Sequence, residues 1–68
     1  MTNKRKIWDY VFELTEYSDN EGEQILVEAS SLSEADEILE SHGFNDEEYK
    51  YITKVSVADG EKLGFDTY

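Results

Sequence analysis

From Ile7 to Tyr17 large apolar and polar side chains alternate, with Trp8, Tyr10, Phe12 and Leu14 on one side and Ile7, Asp9, Val11 and Glu13 on the other. A period of two over this length predicts a strand with one buried face. The turn formers of Ser18-Asp19-Asn20-Glu21-Gly22-Glu23 interrupt the pattern, and Gln24 to Ala29 resumes it, which predicts a hairpin. In the second strand Ile25, Val27 and Ala29 should face the core, with Gln24, Leu26 and Glu28 on the far side. Ser31-Leu32-Ser33-Glu34 then matches a capping box, where a serine hydroxyl accepts from the backbone near the glutamate and the carboxylate reaches back. A helix over Ser31 to His42 follows from the stripe Leu32, Ala35, Ile38, Leu39 and His42, opposite an arc of Ser33, Glu34, Asp36, Glu37, Glu40 and Ser41. Gly43 offers a left-handed stop and Phe44 its accompanying hydrophobic contact.

Asn45 to Glu48 reads as an acidic loop or single turn. Tyr49 to Ala58, rich in β-branched and aromatic residues, predicts a third strand, and Asp59-Gly60 predicts a turn. Residues 59–68 either return as a short fourth strand or form a partly ordered tail. A strand-helix-strand crossover makes its two strands parallel, so the first strand must lie between them. The expected fold is therefore one α+β domain over residues 1–68, ββαβ, with a three-stranded antiparallel sheet in the order 2-1-3. One amphipathic helix covers one face. The other face, with Ile7, Val11, Leu26 and either Tyr51 or Ile52, is expected to be uncovered and to offer a dimer or partner surface.

The charges change this picture. The 68 residues carry 17 Asp and Glu against 6 Lys and Arg, a formal net charge of -11. Fourteen of the acids fall between Ile7 and Tyr49, where there is no Lys or Arg. The bases sit at Lys4, Arg5 and Lys6 in a basic arm (residues 1–6) that is expected to be flexible, at Lys50 and Lys54, and at Lys62. A soluble surface ordinarily mixes both signs, because self-repulsion opposes the compact state. Acidity alone can serve solubility; unopposed acidity also suits a basic partner. Glu34 with Glu37, Glu37 with Glu40, and Asp36 with Glu40 are like-charge helical neighbours, each costing about 0.2 to 0.5 kcal/mol. A partner surface built from Glu34, Asp36, Glu37, Glu40, Asp46, Glu47 and Glu48, continued by Asp19, Glu21 and Glu23 of the hairpin loop, can imitate a run of phosphates to an Arg- and Lys-lined cleft.

Chemistry beyond binding finds little support. A chain this short hides only about 60% of its unfolded surface, too little for an enclosed multi-step active site. It has no Cys, hence no disulfide frame and no thiol nucleophile. His42, the single histidine, lacks a neighbouring nucleophile motif and stands at the expected C-terminus of the helix, where a structural role is expected. Carboxylate pairs need a cleft to act as acid and base, and no deep cleft is expected. An EF-hand reading of the hairpin loop with Gly22 at its sixth position would put Tyr17 at the first, where an anionic ligand is required. No cofactor or metal is expected. The negative field opposes nucleotides and nucleic acid. The opening segment, its apolar stretch broken by Asp9 and Glu13, fits neither a signal peptide nor a membrane span, and a soluble cytoplasmic protein is expected.

In size, charge and short α+β plan the chain resembles the small acidic inhibitors encoded by bacteriophages and mobile elements, the anti-CRISPR, anti-restriction and other DNA-mimic proteins. The resemblance is carried by no sequence motif, so it transfers no residue roles. It implies a non-catalytic, stoichiometric inhibitor in the host bacterial cytoplasm that occupies the nucleic-acid site of a defence or DNA-processing protein. The alternative is a small homodimeric accessory or regulatory protein that binds through its uncovered apolar sheet face.

Overall fold

A computed structural model describes residues 6–68, so the basic arm other than Lys6 lies outside the described residues. The chain runs β1 (Trp8–Leu14), β2 (Gln24–Ala29), α1 (Leu32–Ser41), a single 3-10 turn (Asp46–Glu48), β3 (Tyr49–Ser56), α2 (Val57–Leu63) and β4 (Asp66–Thr67). The class is α+β. The strand order is β3-β1-β2-β4, which keeps β1 between β2 and β3 and antiparallel to both, as the crossover argument requires. The sheet has four strands and is mixed rather than three-stranded and antiparallel, because β4 pairs with β2 in parallel, Ile25 beside Asp66 and Leu26 beside Thr67.

The alternation of β1 builds the main core. Tyr10, Phe12 and Leu14 join Ile25, Val27 and Ala29 of β2, Ala35 and Leu39 of α1, and Tyr49 of β3, with Trp8, Ile38, Phe44 and Tyr68 packed at the margin. The Phe12 and Tyr49 rings meet edge to face at 5.3 Å and 89°, a favoured aromatic geometry. Ser31 caps α1 by accepting from the Glu34 amide at 3.1 Å. Beyond the helix Gly43 takes a φ of 91°, and the Phe44 amide reaches back to the Leu39 carbonyl at 3.1 Å.

The second sheet face departs from expectation. Asp9, Val11 and Leu26 are buried there, because the chain does not turn at Asp59-Gly60. It ends β3 at Ser56, whose hydroxyl accepts from the Asp59 amide at 3.2 Å and starts α2. Gly64, at a φ of 72°, ends the helix in the left-handed region. The segment expected to turn and then form either a short fourth strand or a partly ordered tail thus carries α2 before the short strand β4, and α2 occupies the face on which a dimer or partner surface was expected. Gly60 is the reason α2 can sit so close: a Cβ built there would lie 1.9 Å from Asp9 Oδ2.

The third strand also hides an irregularity. Phe12 pairs with Tyr51 but Val11 with Thr53, so Ile52 is an extra, bulged residue. Tyr51 therefore joins the α1 face, its ring 6.0 Å from Phe12, while Thr53 and Val55 stand opposite Val11 and Asp9 on the α2 face.

Gly60→Ala should lower stability despite the roughly 1 kcal/mol by which alanine ordinarily favours a helix interior. Adding Asp9→Ala removes the obstructing carboxyl and should restore much of the loss. Urea denaturation of the single and double variants measures this coupling. Equal stability of Gly60→Ala and wild type would contradict the close approach of α2 to Asp9.

Candidate acidic interface

The capping chemistry of α1 divides its carboxylates into two kinds. Glu34 is half-buried, and its Oε1 accepts from the Ser30 amide at 2.9 Å and the Ser30 hydroxyl at 3.3 Å. It closes the helix N-terminus instead of standing clear of the surface. Glu37 and Glu40 are exposed, as the amphipathic pattern predicts. Asp36 is half-buried. The same division recurs in the 3-10 turn, where Glu48 Oε1 accepts from the Asn45 amide at 2.8 Å while Asp46 and Glu47 remain exposed.

Thr15 joins the turn to the hairpin loop. Its hydroxyl donates to the Glu47 carbonyl, and its amide donates to the Glu48 carbonyl at 2.9 Å. These two bonds bring together parts of the chain far apart in sequence, and between them lies an open cleft of about 420 Å³. Glu13, Glu16, Glu21 and Glu47 line it, with Leu14, Thr15, Tyr17 and Lys50. Tyr17 is 65% exposed. Of the carboxylates nominated from sequence, Glu21 and Glu47 meet here. Asp19 and Glu23 are exposed in the same hairpin loop but do not line the cleft. Glu13, Glu16 and Tyr17 were not nominated. A hint lay in the hairpin itself, since its strand ends must flank whatever packs against Thr15.

A second group surrounds Tyr49, whose side chain is buried with no hydrogen-bond partner for its hydroxyl. Burial, and then the charges of Asp36, Glu40 and Asp46, push its ionisation above the usual tyrosine range. Asp36, Glu40 and Asp46 are thereby brought into one neighbourhood at the junction of α1 and the 3-10 turn. Glu37 belongs to neither group and stands on the outer side of α1.

The bases are partly segregated from these acids. Lys6 and Lys54 both lie over the Trp8 ring, their ammonium groups 4.4 and 4.5 Å from its centre. Trp8 begins β1 and Leu14 ends it, about 20 Å apart at strand rise. Lys50 is the exception, paired across the strands with Glu13. The run of acids that is unopposed in sequence thus meets a base in space where Lys50 stands beside Glu13.

His42 Nδ1 donates to the Ile38 carbonyl at 2.9 Å, and its ring lies against Tyr68 at 5.2 Å. Among the described residues no group of three or more His, Asp and Glu is arranged to hold a metal ion. No described helix is long and apolar enough to cross a membrane. The arrangement's chemistry is that of carboxylates presented to cationic groups. No protein-family model matches the chain, and searches of curated proteins and of solved structures find no significant match.

Two outcomes test these local environments. Tyr49→Phe removes a buried hydroxyl that has no partner, and stability should stay level or rise by about 1 kcal/mol in urea denaturation. Glu37→Lys with Glu40→Lys replaces like-charge neighbours and should stabilise the fold by roughly 0.5 to 1 kcal/mol at low ionic strength. That gain should shrink at high salt, where exposed charges are screened. A salt-independent difference would assign the effect to something other than charge.

Proposed function

We propose that this chain is a non-catalytic binding protein, an inhibitor of the phage type, whose carboxylates occupy the nucleic-acid site of a bacterial defence or DNA-processing protein in the host cytoplasm. The observation that carries the reading is the stretch from Ile7 to Tyr49, fourteen acids without a base, folded so that Glu21 and Glu47 share a cleft and Asp36, Glu40 and Asp46 share the adjoining junction. Arg and Lys side chains that hold phosphates can make the same charge-assisted bonds to carboxylates. Exposed carboxylates act mainly on the rate of encounter, and any that become buried against arginine act on residence time. Glu34 and Glu48, committed to capping, contribute negative potential more than direct contacts. Tyr17, at the rim of the cleft, offers an aromatic face to a guanidinium.

Capture of partners from bacterial lysate at low and high salt, followed by competition with DNA and RNA, tests the proposal. Nucleic acid should displace the protein from its partner, and high salt should weaken the complex. Glu37→Lys with Glu40→Lys, and separately Glu21→Lys with Glu47→Lys, should each be displaced more readily than wild type, by a few tenths to 1 kcal/mol per rim charge. Simultaneous occupation of one partner by nucleic acid and this protein, or unchanged affinity in both double variants, would overturn the reading.

A further inference from the structure

Asp9 is 1% exposed, and its Oδ1 has no hydrogen-bond partner. Around it, Glu28 stands directly opposite on β2, Val55 directly opposite on β3, and Gly60 of α2 lies against the carboxyl itself. Glu61 follows Gly60 and, like Asp59 and Lys62, the other charged residues of α2, is exposed. A buried acid without a partner is costly to bury in either form, and much more so when ionised than when protonated. We infer that the segment from α2 through β4 is a proton-sensitive cover, seated on the sheet while Asp9 is a carboxylic acid and loosened when it becomes a carboxylate, baring Val11 and Leu26. The inference stands apart from the proposed partner and would survive its failure.

The attachment of the segment suits such a device. β4 pairs over only two residues, Asp66 and Thr67, and Tyr68 adds two bonds, its amide donating to the Leu26 carbonyl at 2.8 Å and its carbonyl accepting from the Glu28 amide at 3.4 Å. Tyr68 also packs edge to face on His42 and Phe44, at 5.2 and 5.5 Å. These contacts can release without breaking the pairing of β1 with β2 and β3. Burial first, and then the charges of Glu28 and Glu61, raise the ionisation of Asp9 above its ordinary value of 3.8. The seated state therefore keeps a proton that the open state loses. Its hold is complete below the ordinary value and fades as pH rises through the raised one.

Hydrogen exchange of individual amides by NMR, corrected for intrinsic rates, reads the opening directly. In wild type the opening constant of the α2 and β4 amides should rise about tenfold per pH unit above the ordinary carboxyl value, levelling off once the raised value is passed. Core amides of β1 and β2 provide the internal reference and should not follow. Asp9→Asn and Asp9→Ala should both flatten the dependence. Glu28→Gln with Glu61→Gln, at exposed positions, should keep the fold and move the transition to lower pH. Retention of the wild-type slope in both Asp9 variants would overturn the inference, as would exchange of the α2 amides only together with the whole core at every pH.

Discussion

The described elements are arranged around the burial of β1, on both faces and along both edges. A central strand uses both edges for hydrogen bonding and presents both faces for packing, so its neighbours are constrained at once. Phe12 and its alternating companions bring α1 down on one face, and β2 and β3 fill the two edges. The remaining face carries Asp9 and Val11, and α2 closes over it. The small size of the chain makes this economy necessary, since one strand buried on both faces supplies core area that a single-sided sheet of this length would lack.

Much of that arrangement is legible from local pattern. The alternation in β1, the resumed alternation at Ile25 and Val27, and the Ser31 to Glu34 cap all signal their elements through contacts within a few residues. The position of β1 in the sheet follows from the handed crossover. α2 is less legible because its two signals conflict. Ser56 to Asp59 has the spacing of a cap, but Asp59-Gly60 is also a common turn pair, and Val57 and Ala58 continue the strand composition. The packing of Gly60 on Asp9 over the sheet goes with the helix, but an acid in an alternating strand reads as a solvent-facing residue until something is found above it. The bulge at Ile52 is similarly silent, because an extra residue in β3 leaves its composition unchanged.

For the acidic interface, the supply of carboxylates is plain from sequence, but their employment is not. Glu34 and Glu48 occupy positions where a carboxylate closes a turn or helix, and local backbone amides claim them. Glu13, Glu16 and Tyr17 enter the cleft because Thr15 bonds to the Glu47 and Glu48 carbonyls, a long-range contact that no local period announces. The pairing of Glu13 with Lys50 is likewise a matter of register. Net charge thus foretells the potential around the molecule better than it foretells which oxygen atoms are free to meet a partner.

The bulge in β3 bears on behaviour in crowded solution. The described sheet has β3 at one edge and the two-residue β4 at the other, and β3 is its longest strand. A straight edge of that length would offer its amides and carbonyls to another chain and seed cross-β growth. Ile52 instead breaks the regular spacing of those groups, and Lys50 and Lys54 flank the break with ammonium groups. Stacking identical edges would bring lysines into register while forcing two irregular backbones to match. The same kink that puts Tyr51 on the α1 face therefore makes this edge a poorer template for a further strand.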